Sequence, residues 1–351
     1  MNGFIALFSQ AIEQLRLAAV NVPGLAPLAD APFLFRPLVM VVLLGIVAGV
    51  IGVIINLRSA EFSAEAMVHA IFPGIVAGAV YWGINAIIPA ASVVAVAAAL
   101  VLTLVSHRSR RGEASEAGTA VVLTSFFSIG LILSLAKGDM SGQLEALMFG
   151  RLLEVTDERL AQALIVCAVA LVLIMTTWKE QIAYAFDRTG ARASGLRLLA
   201  LDLALNTAIA AAVVSASTAV GTLLVIGYLV IPGATARILV SRVRTMVLVA
   251  IGVGVGGGYL GMLLMALPAT LDKPISPQAS VALVMTAILL LAVGVTAARE
   301  RLRRPARRAR SAQSAQISTT TARSADSCAA SPDESASTEG AAVPMAEGSR
   351  A

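Results

Sequence analysis

Residues 37–57 read PLVMVVLLGIVAGVIGVIINL, without one charged side chain. About 20 apolar residues in a helix cross the hydrocarbon core of a bilayer, so this stretch predicts a membrane span. Further apolar runs lie at 62–83, 88–106, 117–137, 160–178, 201–218, 219–236, 246–267 and 279–297, which makes nine candidate spans. Region 201–236 is too long for one crossing, and Ser215-Ala216-Ser217-Thr218 supplies a break. Across all 351 residues, 58% are hydrophobic, 13% are charged and the mean hydropathy is +0.86. Soluble chains carry about 45–50% apolar and about 25% charged residues. The deficit of charge excludes a water-soluble enzyme, a disordered regulator and a disulfide scaffold. The expected fold is all-α: a polytopic integral membrane helical bundle of about eight to nine transmembrane helices. Residues 1–36 form an N-terminal amphipathic segment, 37–298 the transmembrane domain, and 299–351 a basic juxtamembrane segment with a disordered tail.

The net charge of +5 is unevenly placed. Residues 299–310, RERLRRPARRAR, hold seven arginines against one glutamate. No nucleic-acid motif accompanies them, so they read as a positive-inside anchor rather than a nucleic-acid site. His107–Gly112, Lys179–Arg197 and Arg237–Arg244 are also basic. These four segments alternate correctly with nine spans, which places them and the C-terminus in the cytoplasm and the N-terminus outside. Glu13 and Arg16 interrupt the first apolar pattern, so the N-terminus reads as a surface helix rather than a cleavable signal. The two cysteines, Cys167 and Cys328, are far apart and form no metal or redox motif. Gly252-Val253-Gly254-Val255-Gly256-Gly257 fits a dinucleotide pattern only formally, because it lies inside an apolar run. Close helix packing is the reading adopted there. No phosphate-binding GxxxxGK[ST] loop is present. If ATP drives this protein, a separate subunit hydrolyses it.

Ionisable groups inside spans are costly, so each is a candidate functional residue. Glu65 and His69 lie in Ser63-Ala64-Glu65-Ala66-Met67-Val68-His69-Ala70-Ile71-Phe72-Pro73-Gly74. Four-residue spacing puts both on one helix face. A carboxylate and an imidazole suit manganese, iron or zinc, and a two-fold partner would complete a four-ligand site. A purely structural reading stands beside this one. In it Ser63 caps the helix, Glu65 is a favourable first-turn charge and His69 donates to a backbone carbonyl. His107 reads as a solvated loop residue. Asp202, Glu116 and Asp272 read as interfacial or solvated charges.

At this segment the chain resembles the membrane permeases of metal-ion ATP-binding-cassette importers of the zinc, manganese and iron class. The family pattern Gly-Asp-Ala-Leu-Ser-His-Ala-Val-Leu-Pro-Gly is similar to Ala64–Gly74, with Ala64 for Gly and Glu65 for Asp. Glu116 with Thr124-Ser125-Phe126-Phe127 and Gly130-Leu131 resembles a second family span. So do Leu147–Leu153 and the segment Phe186-Asp187 with Ala191-Arg192-Ala193 and Gly195-Leu196. Val220–Ile226 running into Ile231–Arg237 is similar to the family's VGALLV…IPAATAR element. The matches run in order from about 37 to 297.

The resemblance implies a permease subunit for divalent metal ions, not an enzyme, with no permanently bound cofactor. It implies a cytoplasmic ATP-binding subunit, an extracytoplasmic metal-binding lipoprotein and a second permease, identical or paralogous. Glu65 and His69 would bind the ion, and Pro232, Gly233, Thr235, Arg237, Arg242 and Arg244 would couple to the ATPase. The alternatives are a permease for a metal chelate, which needs no intramembrane ligand, and an ion-coupled secondary transporter, which would show paired repeats. No paired repeat is evident.

Overall fold

The computed structural model describes residues 2–22, 24–108, 112–136, 150, 152–217, 219–266, 276–299 and 301. All regular structure among them is helical. The chain runs α1 (Asn2–Val20), α2 (Ala26–Ala29), α3 (Pro32–Arg58), α4 (Glu61–Ala70) and α5 (Phe72–Ala77). A π-helical turn at Gly78–Trp82 and a 3-10 turn at Ile84–Ala86 lead into α6 (Ile87–Arg108) and α7 (Gly112–Leu135). Next come α8 (Asp157–Thr176), α9 (Trp178–Phe186), α10 (Arg188–Ala193), α11 (Leu198–Ser217), α12 (Thr222–Leu239), α13 (Val243–Ala266) and α14 (Pro277–Arg299).

Among the described residues, eight helical segments are long and apolar enough to cross a membrane. The expected crossing at 219–236 is α12, a shorter helix of 18 residues. At 1.5 Å per residue it extends about 27 Å. Helix α11 ends at Ser217 and α12 starts at Thr222, so the break lies at the expected Ser215–Thr218. Gly221 takes a positive φ of 87° there, a conformation that other residues adopt at a cost.

The second crossing is itself broken. Helix α4 ends at Ala70, and Pro73 lies at the start of α5. Proline lacks the N–H that would continue the ladder and clashes with the preceding turn. Helix α4 opens on Ala60 and Glu61, so Ser63 lies inside the helix and is not its cap.

Side-chain contacts tie the helix ends together at two opposite ends of the bundle. At one end Arg36 pairs with Asp157 at 2.6 Å, Asn85 donates to Glu158 at 2.8 Å and Ser9 donates to Asp157 at 2.9 Å. At the other, Arg58 meets Gln181 and Asp202, and Arg237 donates to the Asn56 carbonyl. Helices α3, α6 and α8 therefore run from the first end to the second, and α4–α5 and α11 run back. The expected N-terminal segment, residues 1–36, holds α1, α2 and the first residues of α3, and Arg16 of α1 pairs with Glu13 one turn away.

Helix α3 is the axis of the packing. Within its apolar window 78% is buried, against 17% for α14. Glycines bring α12 and α13 onto it. A Cβ on Gly45 would lie 2.7 Å from the Gly254 carbonyl carbon, and one on Gly49 would lie 2.6 Å from the Ile251 nitrogen. On Gly52 it would overlap the Leu229 carbonyl oxygen. Backbones approach this closely only where no side chain intervenes. The formal GxGxxG pattern lies mid-helix in α13, where Gly254 and Gly257 are packing contacts and Gly252 and Gly256 face open space. It is not a nucleotide loop.

Tyr228 closes this three-helix contact. Its hydroxyl lies 2.9 Å from the Val41 carbonyl and 3.2 Å from that of Gly254, linking α12 to α3 and α13. Tyr228→Phe removes the bond without opening a cavity. The expected cost is about 1 kcal/mol, read as a small drop in thermal midpoint of the detergent-purified chain.

Candidate functional site

Helix α4 carries both residues singled out in its sequence. Ala64, Ala66, Met67, Val68 and Ala70 are buried, whereas Glu65 is exposed and His69 is partly so. Phe62, 39% exposed, continues the same stripe at spacings of three and four. From the helix start at Glu61, Glu65 lies about 6 Å along the axis and His69 about 12 Å. The pair thus sits in a span whose apolar window is 67% buried, on a face of α4 that the chain does not cover.

Helix α7 holds the imidazole. The Phe127 ring stands nearly perpendicular to His69, with centroids 5.5 Å apart and an interplanar angle of 85°. Phe127 also packs on Phe72 at 5.1 Å. Gly130 permits this approach, since a Cβ there would lie 3.0 Å from the Pro73 nitrogen. The SFFxxGL pattern is therefore the wall against which the broken second crossing and His69 are set. Its spacing marked it as a family motif but did not reveal which side chain it touches. Among the described residues, no three His, Cys, Asp or Glu side chains converge on one point. One chain offers two donors and no complete cage.

The other concentration of polar groups lies at the basic end. Arg58, at the end of α3, pairs with Asp202 of α11, donates to Gln181 Oε1 at 2.6 Å and lies 3.9 Å over the Tyr184 ring. Tyr184 donates to Asp202 at 3.4 Å, and His107 Nδ1 lies 3.7 Å from Asp202 Oδ2. Asp202 is thus a hub rather than an isolated interfacial charge, and His107 sits in the last turn of α6 rather than in a loop. Burial, followed by the charge of Asp202, raises the Tyr184 pKa. Asp187 caps α10, and the Gly190 N–H, then the Thr189 hydroxyl, hold its carboxyl below the usual range.

Asp202→Asn leaves the Arg58 guanidinium, only 9% exposed, without its counter-charge. Breaking one half of a largely buried pair is costly. After discounting for Asp202, which is 20% exposed, the expected loss is about 2 kcal/mol. Thermal unfolding of the purified variant measures it.

Burial divides the expected coupling element. Pro232, Gly233 and Thr235 lie inside α12 and are buried, with Gly233 against the Gly52 carbonyl. Arg237, Arg242 and Arg244 are exposed at the basic end. Glu116 is exposed at the start of the α7 apolar window. Residues 147–149, Arg151, Asp272, Cys328 and nearly all of the arginine-rich segment lie outside the described residues.

Comparison with known proteins now bears on this arrangement. The pattern of the ABC 3 transport family matches residues 30–296, three quarters of the chain. The chain belongs to the ABC 3 transport family. This family member is accordingly a multi-span transport subunit of the cell membrane. It is 34% identical over 231 residues to the manganese transport system membrane protein MntC of Listeria monocytogenes serovar 1/2a, covering 66% of this chain and 80% of that one. It is 32% identical over 212 residues to the chelated iron transport system membrane protein YfeC of Yersinia pestis, covering 60% and 70%. The solved structure of PsaBC from Streptococcus pneumoniae in complex with Fab has a TM-score of 0.65 at 25% identity, covering 77% of this chain and 94% of that one. The matched ABC 3 region contains Glu65, His69, Phe127 and the Arg58–Asp202 cluster, and it leaves out α1 and the tail.

Proposed function

We propose that this chain is the permease subunit of an ATP-driven importer for divalent metal ions of the manganese, zinc and iron group. The observation that carries the reading is the uncovered Glu65–His69 stripe on a span otherwise packed into the bundle. A carboxylate facing lipid at that depth costs several kcal/mol. A water-filled path or a second subunit removes the cost. A two-fold partner, either a second copy or a paralogue, would bring a matching carboxylate and imidazole and make four donors on the axis. Oxygen and nitrogen donors together suit manganese, iron and zinc. The names of the similar proteins, which specify manganese and iron transport, support the same cargo class.

Three further parts belong to the proposal. A separate ATP-binding subunit supplies the energy and docks at the basic end, where Arg237, Arg242 and Arg244 are exposed. An extracytoplasmic metal-binding lipoprotein delivers the ion to the opposite end. The basic segments face the cytoplasm, and the C-terminus with them. A chelate brings its own ligands and would leave the Glu65–His69 pair unused, which argues for the free ion.

Deleting the chain from its host and measuring cellular manganese, zinc and iron tests the proposal. One of the three metals falls and returns on complementation, and the tagged chain co-purifies with an ATP-hydrolysing subunit. Unchanged metal contents, or purification without any ATPase, would overturn it.

A further inference from the structure

Helices α4 and α7 pack together and both rise from the basic end. Each follows a residue held at Asp202: α4 opens three residues after Arg58, and α7 opens five residues after His107. The two helices therefore run parallel, and the contact between Phe127 and His69 fixes their register. At 1.5 Å per residue, Glu65 lies about 6 Å from His69 along α4, towards the basic end. Thr124 lies about 4.5 Å from Phe127 along α7, in the same direction. The two thus sit within about 2 Å of one level in the span, and both are exposed. The Thr124 hydroxyl donates within its own helix, with the Ala120 carbonyl at 3.0 Å and that of Val121 at 3.1 Å. Its proton is engaged there, and the oxygen lone pairs stay available on the uncovered side of α7.

We infer that Thr124 supplies a third donor beside Glu65 and His69 and biases the site towards manganese over zinc. The inference rests on the metal-importer reading above. Exposure alone does not single Thr124 out. Thr286 of α14 is also exposed and donates to the Ala282 carbonyl at 2.9 Å, as a threonine facing lipid would. What distinguishes Thr124 is its level beside Glu65, on the helix whose Phe127 holds the second donor. The hydroxyl takes each chain from one oxygen and one nitrogen donor to two oxygens and one nitrogen. A second copy on a two-fold axis doubles that set to four oxygens and two nitrogens. Six donors rich in oxygen suit an octahedral manganese ion, whereas zinc prefers four donors and takes nitrogen readily. Thr124 therefore contributes to the choice of ion more than to the retention of any ion.

Calorimetric titration of the full-length chain in neutral detergent tests it, with manganese and zinc ions as separate probes. Thr124→Val keeps the shape of the side chain and removes the oxygen. It is expected to weaken manganese binding by at least ~5-fold and zinc binding by clearly less, so the preference for manganese falls. Thr124→Ser restores the oxygen and the preference, which a purely structural role of the methyl group would not do. Thr286→Val removes the comparable hydroxyl from α14 and leaves both affinities unchanged. Glu65→Gln weakens both ions and reports on the underlying reading. If Glu65→Gln weakens binding and Thr124→Val does not, the hydroxyl is no donor and the inference alone is overturned. Equal losses of manganese and zinc in Thr124→Val, or the same loss in Thr286→Val, would overturn it too. If the wild-type chain binds neither ion, or Glu65→Gln changes nothing, the inference falls together with the reading it rests on.

Discussion

Glu65→Gln and His69→Ala each lower metal uptake by at least ~10-fold while the chain stays in the membrane at its normal level. Losing even an outer contact of a metal site costs about 10–100-fold, and these two are the donors themselves. Glu65→Gln keeps the size of the side chain and removes its charge, so it tests ligation separately from packing. His69→Ala also removes the ring against Phe127, and His69→Phe restores that contact without a donor. The fold tolerates both changes because Glu65 is exposed and His69 only partly covered. Radiolabelled manganese, zinc and iron uptake, scaled to the amount of chain in the membrane, gives the readout. Glu65→Asp retains part of the activity, since it keeps the charge and loses one methylene of reach.

Gly52→Val is expected to remove most of the folded protein. Any Cβ at this position overlaps the Leu229 carbonyl oxygen, and the Gly233 nitrogen one turn further along the same helix lies 3.7 Å from it. Both obstacles are backbone, so no rotamer change relieves them. Overpacking a core costs about 1–3 kcal/mol, and a clash with fixed backbone on the most buried helix belongs at or above the top of that range. Gly252→Val is the matched control, because nothing lies within 4 Å of its Cβ position. Size-exclusion profiles of the detergent-extracted chains should show little monodisperse Gly52→Val and near-normal Gly252→Val. Equal recovery of the two would show that α3 does not rely on this contact.

The legible and illegible parts of this molecule differ in range. Spans such as Pro32–Arg58 are written in local hydropathy, because a bilayer demands about 20 apolar residues whatever the neighbours are. Glu65 and His69 were legible for the same reason: helical spacing alone places them on one face. The role of Asp202 was not. Its partner Arg58 lies 144 residues earlier, and only the packing of α3 against α11 brings the two together. Phe127 was visible as part of a motif, yet its contact with His69 depends on how closely Gly130 lets α7 approach Pro73. The burial of Pro232, Gly233 and Thr235 was not legible from their motif, because a conspicuous motif can serve helix packing as readily as docking. The other half of any metal cage is not encoded at a second place among the described residues, which is why symmetry enters the proposal.

Transport into sealed vesicles tests the account most directly. The chain is reconstituted with its ATP-binding subunit and binding lipoprotein, loaded in turn with manganese, zinc or iron. The account predicts accumulation of at least one of these ions that requires ATP hydrolysis and falls at least ~10-fold in Glu65→Gln, with ATPase activity retained. ATP-independent accumulation, or ATP-driven accumulation that Glu65→Gln leaves unchanged, would contradict it.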